Sequence, residues 1–194
     1  YDLSGTAAPP RITFGSNNRY PIWSGDGTRV AFQSDREGAP AVFWQAIGSG
    51  SAERLTTAEP GTSHVPESWS RNGVLLYSVR KGTDVSLWSL SIADRQPKAF
   101  GGVVSHGLPT NAEFSPEGDW VAYQSADSAS SEGSTYVQPF PATGTKHEIG
   151  RGGRPVWSRD GKELFFVPAP AQFRMVRVTT KPSFSVTQPV AVPR

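Results

Sequence analysis

The fold is decided by the stretch Pro21-Ile22-Trp23-Ser24-Gly25-Asp26-Gly27, because the same pattern recurs three more times along the 194 residues. Its form is an aromatic residue, Ser, any residue, then Asp, Asn or Glu, and finally Gly. The further copies span residues 67–73, 112–118 and 155–161. The aromatic positions 23, 69, 114 and 157 are 46, 45 and 43 residues apart, a period that matches one four-stranded blade of a β-propeller.

Each copy is followed by a short apolar and aromatic segment, which is typical of a β-strand. Second strands are predicted at 29–33, 74–78, 120–124 and 163–167, and third strands at 41–47, 86–92, 135–140 and 174–178. Fourth strands are predicted at 53–56, 97–100, 146–149 and 185–190. No window of ten or more residues keeps a helical period, so the chain is predicted to be all-β.

The Ser and Gly of each copy predict a tight turn between the first and second strands of a blade. The glycines at 27, 73, 118 and 161 supply a positive φ without strain, and the Ser and Asp side chains can bond nearby backbone amides. The aromatic residue before the turn is predicted to pack between neighbouring blades. Trp23, Phe114 and their equivalents are therefore assigned to the core.

These elements predict one partial propeller domain over residues 1–194, with blades at 19–57, 64–100, 109–149 and 154–190. Residues 1–14 are interpreted as the end of a preceding blade. The first strand of each blade is predicted to line the central channel. Glu67 and Glu113 lie on these strands, so they are expected among the less exposed acidic residues.

Composition excludes several classes of chemistry. There is no cysteine, so a disulfide, a thiolate metal site and a cysteine nucleophile are all ruled out. The net charge is +2 and the charges are interspersed, which does not predict a nucleic-acid partner. No apolar stretch is long enough to predict membrane insertion. No cofactor and no metal site is predicted.

The repeated Trp-Ser-x-Asp-Gly units, with segments such as Arg29-Val30-Ala31-Phe32 after them, resemble the WD40-like, or PD40, repeats of TolB-type β-propellers. The resemblance covers nearly the whole chain. It implies a propeller of more blades than the four counted here, and a periplasmic or extracytoplasmic location. Similar propellers also form the extracytoplasmic part of bacterial receptor-type kinases, although no kinase signature occurs in this chain.

No nucleophile motif and no zinc-helix motif is present, so the candidate binding residues are those predicted in the loops that join one blade to the next. In a propeller these loops share one face with the loops between second and third strands, and that face surrounds the channel. The tentative ligand-binding residues on this loop face are Arg19, His64, His106 and Arg154. His147 is placed on an outer strand, as a surface residue.

Three functional readings stay open. The first is a non-catalytic binding module that recognises a protein, a peptide or an anionic small molecule on the loop face, and the absence of a nucleophile and base pair favours it over an enzyme. The second is a carbohydrate-active enzyme, either a polysaccharide lyase or a glycoside hydrolase, with its site around the channel. The third is a structural fragment that only assembles blades.

The ends of the blade array predict a partner. An open array leaves a blade face at each end, and these faces must be covered. Residues 1–14 could complete the last blade and close a small ring, or a second copy of the chain could cover the ends. The second copy is preferred, because each of the four units already holds its own predicted fourth strand. A homo-oligomer is therefore expected.

Overall fold

The computed structural model describes residues 11–48, 51–127 and 132–193. Within these ranges the regular secondary structure consists of β-strands alone, which confirms the predicted all-β class. This part of the chain contains no helix long and apolar enough to cross a membrane.

The strands form four antiparallel sheets, each of which is one blade of an incomplete β-propeller. The first blade contains β1 (Asn18–Trp23), β2 (Arg29–Ser34), β3 (Ala41–Ala46) and β4 (Glu53–Arg54). The second contains β5 (Thr62–Trp69), β6 (Val74–Lys81), β7 (Asp84–Ser91) and β8 (Pro97–His106). The third contains β9 (Glu113–Phe114), β10 (Trp120–Ser125), β11 (Ser134–Pro139) and β12 (His147–Arg151). The fourth contains β13 (Gly153–Trp157), β14 (Glu163–Val167), β15 (Arg174–Thr179), β16 (Ser185–Val186) and β17 (Val190–Ala191).

The first strand of every blade lies at one edge of its sheet, and the strands follow in chain order toward the opposite edge. In the fourth blade both β16 and β17 pair with β15, so two short strands replace the single fourth strand predicted there. The strands β1, β5, β9 and β13 contact one another in sequence. They are therefore the innermost strands, as predicted.

The repeated turns have the predicted structure. Gly27 and Gly161 have φ values of 69° each, and their backbone N–H groups donate to the carbonyls of Ser24 and Ser158 at 2.9 Å. The Ser158 hydroxyl donates to Asp160 at 2.7 Å and accepts from the backbone N–H of Glu163 at 2.9 Å. Backbone and side-chain bonds together hold each hairpin closed.

The core lies between the blades, where the aromatic residue of one blade packs onto the blade before it. Trp157 is only 6% exposed and packs with Ala122, Val137 and Ile149 of the third blade. Trp23 is 56% exposed, so its assignment to the core was wrong. No blade among the described residues precedes the first one, and its aromatic residue has no neighbouring sheet to cover it.

Residues 11–14 form no strand, so for them the interpretation of residues 1–14 as the end of a preceding blade was wrong. Their carbonyl groups bind side chains rather than a β-ladder: Ile12 accepts from Gln45 Nε2 at 3.1 Å, and Thr13 accepts from Arg11 Nε at 2.8 Å. Ile12 packs against the outward face of the first blade, where Phe32 is only 2% exposed. The rest of that segment, residues 1–10, lies outside the described residues.

Candidate functional site

The innermost strands of all four blades surround a cavity of about 530 Å³, which we call the central cavity. Its walls include Ile22 from the first blade, Glu67 from the second, Glu113 from the third and Arg154 from the fourth. One face of the molecule therefore presents side chains of four separate repeats to a single space.

A second cavity of about 720 Å³ adjoins it on the loop face, and we call this the mouth cavity. The two cavities share Ile22, Glu67 and Asn111 as lining residues. Much of the mouth wall is apolar and stiff, with the residues Pro21, Pro40, Val65, Pro66, Val85 and Pro109. Tyr20 and Arg80 also line it.

One position of the repeat lines both cavities with unusual backbone geometry. Tyr20, Asn111 and Arg154 each lie three positions before the aromatic residue of their repeat. Their φ values are 54°, 43° and 55°. The left-handed region is costly for residues other than glycine, and such residues concentrate at functional sites. In the second blade the position is Pro66, and the pairing of β5 with β6 is irregular there. The repeat thus interrupts each inner strand at the level of the cavities.

Glu67 is a half-buried carboxylate whose oxygen atoms are held by the third blade. One oxygen accepts from the Thr110 hydroxyl at 2.8 Å, and the other accepts from the backbone N–H of Ala112 at 3.2 Å. Burial raises the pKa of Glu67, and hydrogen bonds from Ser78, Thr110 and Ala112 oppose this rise. Its contacts give Glu67 a role in joining two blades.

Glu113 makes the corresponding link between the third and fourth blades. Its carboxylate accepts from the backbone N–H of Trp157 at 3.2 Å, while Ser68 accepts from the backbone N–H of Phe114 at 3.1 Å. Glu113 and Ser68 each directly precede the aromatic residue of their own repeat. The side chain of each accepts a hydrogen bond from the backbone N–H of the aromatic residue in the next blade. Burial raises the pKa of Glu113 to about 7, and the hydrogen bond from the Trp157 backbone opposes this rise. The expected low exposure of both acids is confirmed, since both are half-buried.

Arg80 lines the mouth cavity together with Glu67, and Arg154 lines the central cavity together with Glu67 and Glu113. Both side chains are exposed, and within the described ranges neither has an ion pair or side-chain hydrogen bond. Arg54 and Arg151, by contrast, form salt bridges of 3.0 Å with Glu37 and Glu132. The guanidinium groups of Arg80 and Arg154, in contrast, have no carboxylate partner in the described part of the chain and could each bind an anionic group of a ligand.

The four predicted binding residues do not converge on one cavity. Arg154 borders the central cavity from β13, and Arg19 is an exposed residue of β1, so neither lies in a loop as predicted. His64 lies within β5 rather than in a loop, so its predicted placement was wrong. Its ring is buried, with Nδ1 at 2.9 Å from the Thr56 hydroxyl and its centroid at 5.3 Å from that of Tyr77. Burial lowers the pKa of His64.

His106 was also predicted in a loop, but it is the last residue of β8. This strand is the outermost of the second blade, far from the inner strand that lines the cavities. Its Nδ1 lies 2.7 Å from the Asp84 carboxylate. That any of the four residues binds a ligand stays a prediction.

Asn111 and Arg80 are cavity residues that the tentative set omitted. Arg80 belongs to a charged segment at the end of a second strand, and its position in the hairpin was readable from the sequence. For Asn111 the available signal was its position, three residues before the aromatic of the repeat. Among the described residues no group of three or more His, Cys, Asp or Glu side chains could hold a metal ion.

Comparison with known proteins supports the fold. A scan against protein-family models gives no match, and a search of curated proteins gives none either. Among solved structures, TolB from Acinetobacter baumannii is 19% identical with a TM-score of 0.68, and the match covers 91% of this chain and 45% of TolB. This chain thus has the fold of a TolB-type β-propeller and spans about half of that relative's length.

Other similar structures have different functions. A chain of the nidogen/laminin complex is 10% identical with a TM-score of 0.63, over 84% of this chain and 61% of that one. Oligogalacturonate lyase in complex with manganese is 14% identical with a TM-score of 0.59, over 91% of this chain and 48% of the lyase. Binding proteins and enzymes therefore share this architecture, and the fold alone does not select between them.

Proposed function

We propose that this chain is a non-catalytic binding module whose mouth cavity takes an extended acidic peptide from a partner protein. The observation that carries the proposal is the pair of arginines without ion partners, Arg80 in the mouth cavity and Arg154 in the central cavity. A peptide that enters from the loop face would meet both. Guanidinium groups bind carboxylates with two parallel hydrogen bonds, which gives orientation as well as affinity.

The walls of the mouth cavity support a peptide over a small inorganic anion. A cavity of about 720 Å³ lies within the range of organic ligand sites. Its prolines and valines offer apolar contact, and the exposed ring of Tyr20 offers a flat surface at the rim. Aromatic and arginine side chains are the types that dominate binding at protein interfaces.

The carboxylates of the central cavity support binding without catalysis. Both oxygens of Glu67 accept hydrogen bonds, from Thr110 and Ala112, and one oxygen of Glu113 accepts a hydrogen bond from Trp157. A general base must be able to reach a substrate proton, and these hydrogen bonds instead connect one blade to the next.

The test is binding of a fluorescently labelled oligo-glutamate peptide, measured by anisotropy at low salt. We expect saturable binding, and we expect Arg80→Ala and Arg154→Ala each to weaken it roughly tenfold, because each removes one charged contact. Arg71→Ala is the matched control, since Arg71 is an exposed arginine in the Ser70 turn at the opposite end of the inner strands. Equal affinity of all three variants would refute the proposed site.

A second candidate function rests on a specific observation. Glu113, with a pKa raised to about 7, lines the same cavity as Arg154. A base that titrates near neutrality beside a cation could abstract a proton next to the carboxylate of a uronic acid, the chemistry of a polysaccharide lyase. The likeness to oligogalacturonate lyase supports testing acidic polysaccharides. Release of unsaturated products, lost in Glu113→Gln, would replace the binding proposal with this one.

The proposal extends to location. The likeness to TolB supports a periplasmic or extracytoplasmic site of action. Immunodetection of the protein in fractionated cells tests this, and recovery in the cytoplasmic fraction alone would contradict it.

A further inference from the structure

A further cavity, of about 210 Å³, lies between the first and second blades, and we call it the outer cavity. Its exposed lining residues are Thr57, which follows β4, and Arg95, which precedes β8. Since β4 and β8 are the outermost strands of their blades, the cavity opens away from the channel. Its apolar walls are Leu55 and Leu90, which are buried in one core cluster. The two blades already pack against each other here, so the shape of the cavity depends on no further blade.

Two buried polar side chains line the outer cavity, His64 at 7% exposure and Tyr77 at 3%. Within the described part of the chain, neither His64 Nε2 nor the Tyr77 hydroxyl has a hydrogen-bond partner. The fully enclosed polar side-chain atoms that lack a partner among the described residues are Gln138 Oε1 and Trp157 Nε1. His64 Nε2 and the Tyr77 oxygen are not among these, so both atoms still border open space, and the space that their residues line is the outer cavity.

The hydrogen bonds of Thr56 determine which nitrogen of His64 carries the proton. The Thr56 hydroxyl oxygen accepts from the backbone N–H of Val42 at 2.9 Å and lies 2.9 Å from His64 Nδ1. A hydroxyl has one proton to donate, and in the described structure no other acceptor binds it. Thr56 therefore donates to Nδ1. Burial lowers the pKa of His64, so the ring is neutral at pH 7 and its single proton lies on Nε2.

Tyr77 supplies a second donor next to the first. Burial raises the pKa of Tyr77 to about 12, so its hydroxyl keeps its proton at neutral pH. The ring centroids of His64 and Tyr77 lie 5.3 Å apart, which places the two rings side by side. A buried donor without an acceptor destabilises the structure that holds it, and an acceptor brought by a ligand removes this cost. A carbonyl oxygen has two lone pairs and can accept from both donors.

The charges and the size of the outer cavity restrict the ligand further. The Arg95 guanidinium is paired with Glu53 at 2.7 Å and lies 5.3 Å from the ring centroid of Trp44, so its charge is already balanced. The His64 ring is neutral, and the cavity therefore favours an uncharged ligand. An apolar cavity of about 150 Å³ can hold a benzene molecule. The outer cavity, at about 210 Å³, has room for a six-membered ring with one substituent.

We propose that the outer cavity binds a small uncharged molecule that carries one carbonyl oxygen on a ring-sized apolar body. The carbonyl oxygen accepts hydrogen bonds from His64 Nε2–H and from the Tyr77 hydroxyl. The apolar body contacts Leu55 and Leu90. The outer cavity shares no lining residue with the mouth cavity or the central cavity, so this site is separate from the proposed peptide site.

The first test is a titration of the full chain with cyclohexanone, followed by methyl NMR. We expect saturable shifts of the Leu55 and Leu90 methyl signals. Tyr77→Phe should weaken cyclohexanone binding roughly fivefold, because it removes one neutral hydrogen-bond donor. The blade accepts phenylalanine at this position, since the first and fourth copies of the repeat carry Phe32 and Phe166 there. The absence of saturable shifts, as for a cavity that holds only water, would overturn the proposal.

A matched ligand separates hydrogen bonding from packing. Methylenecyclohexane has the shape of cyclohexanone but no oxygen, so Tyr77→Phe should leave its affinity unchanged. Tyr123→Phe is the matched protein control, because Tyr123 is a buried tyrosine at the same repeat position and lines none of these three cavities. It should leave cyclohexanone affinity unchanged. Equal losses for both ligands in Tyr77→Phe, or an equal loss of cyclohexanone affinity in Tyr123→Phe, would contradict a hydrogen bond from Tyr77.

His64 is tested by its nitrogen signals. Long-range ¹H–¹⁵N NMR of the free chain should show a protonated Nε2 and an unprotonated Nδ1, and the Nε2 signal should move when cyclohexanone is added. His64→Phe keeps a ring of similar size and should weaken cyclohexanone binding roughly fivefold, since it also removes one donor. A proton on Nδ1, or an Nε2 signal that stays fixed at saturation, would refute the assigned role of His64.

The inference goes beyond the proposed function, and the two are tested separately. Oligo-glutamate affinity is measured at Arg80 and Arg154, whereas cyclohexanone affinity is measured at His64 and Tyr77. Failure of either result leaves the other standing.

Discussion

The Glu113 carboxylate in the third blade accepts a 3.2 Å hydrogen bond from the backbone N–H of Trp157 in the fourth. The bond joins an ionisable group near the channel to the residue that forms the core between two blades. Blade packing and channel electrostatics are therefore coupled, and stability should respond to pH through this residue.

The first prediction concerns Glu113→Gln. The pKa of Glu113 is about 7 in the folded chain, against 4.5 for an ordinary glutamate, so the folded state disfavours the charged form. Below pH 4.5 the carboxyl group is neutral in the folded and the unfolded state, so the raised pKa costs no stability there. As the pH rises from 4.5 toward 7, the free energy of unfolding of the wild type falls. The variant, which stays neutral, should gain about 3 kcal/mol over wild type at pH 8 and nothing at pH 4.

Denaturant unfolding across this pH range measures the difference. Glu148→Gln is the control, because Glu148 is an exposed glutamate of the same blade. If the wild-type and Glu113→Gln profiles run parallel, the carboxylate does not titrate as described.

The second prediction concerns His64, whose lowered pKa has the opposite effect. Burial disfavours the imidazolium in the folded state, so stability falls as pH drops below the ordinary value of 6.5. His64→Gln should lose packing on Tyr77 but show a flatter stability profile below that pH. His147→Gln serves as the comparison, and an unchanged slope in His64→Gln would contradict the buried neutral ring.

The third prediction contrasts two tryptophans of the same repeat position. Trp157→Ala should cost about 3 to 5 kcal/mol of unfolding free energy, because it leaves a cavity between two blades. Trp23→Ala should cost less than about 1 kcal/mol, since the Trp23 side chain is exposed. Urea unfolding of both variants measures the contrast, and equal losses would show that something covers Trp23 in solution.

The fourth prediction contrasts two glycines of one turn. A Cβ at Gly25 would lie 2.7 Å from Arg71 Cα, so Gly25→Ala should push apart the turns of the first and second blades and cost about 1 to 3 kcal/mol. A Cβ at Gly27 would meet nothing within 4 Å, and Gly27→Ala should cost only the strain of its positive φ. The amide NMR signal of Arg71 should shift in the first variant alone. A shift in both would contradict the contact.

Sequence predicted the blades well because their signal is periodic and local. A Ser, an acidic residue and a Gly act within one turn, and the strands on either side alternate with the sheet. The exposure of Trp23 depends on which sheet lies next to it, and that contact is not encoded in the repeat itself.

The candidate site was less predictable for a related reason. His64 was assigned to a loop that joins one blade to the next, yet β5 extends back to Thr62. The extension depends on pairing with the equally long β6 and on the bond to Thr56. Glu67 and Glu113 were placed correctly because their position follows from the inner strand alone.

The left-handed position occupied by Tyr20, Asn111 and Arg154 also bears on how such a chain can change. The blade, not the side chain, imposes this backbone conformation, since an aromatic, an amide and a cation all adopt it. Residues here can be exchanged one at a time while the sheets stay as they are. Proteins that descend from this repeat could thus acquire new ligand preferences by single substitutions at these few positions, much as antibody loops vary on a constant framework.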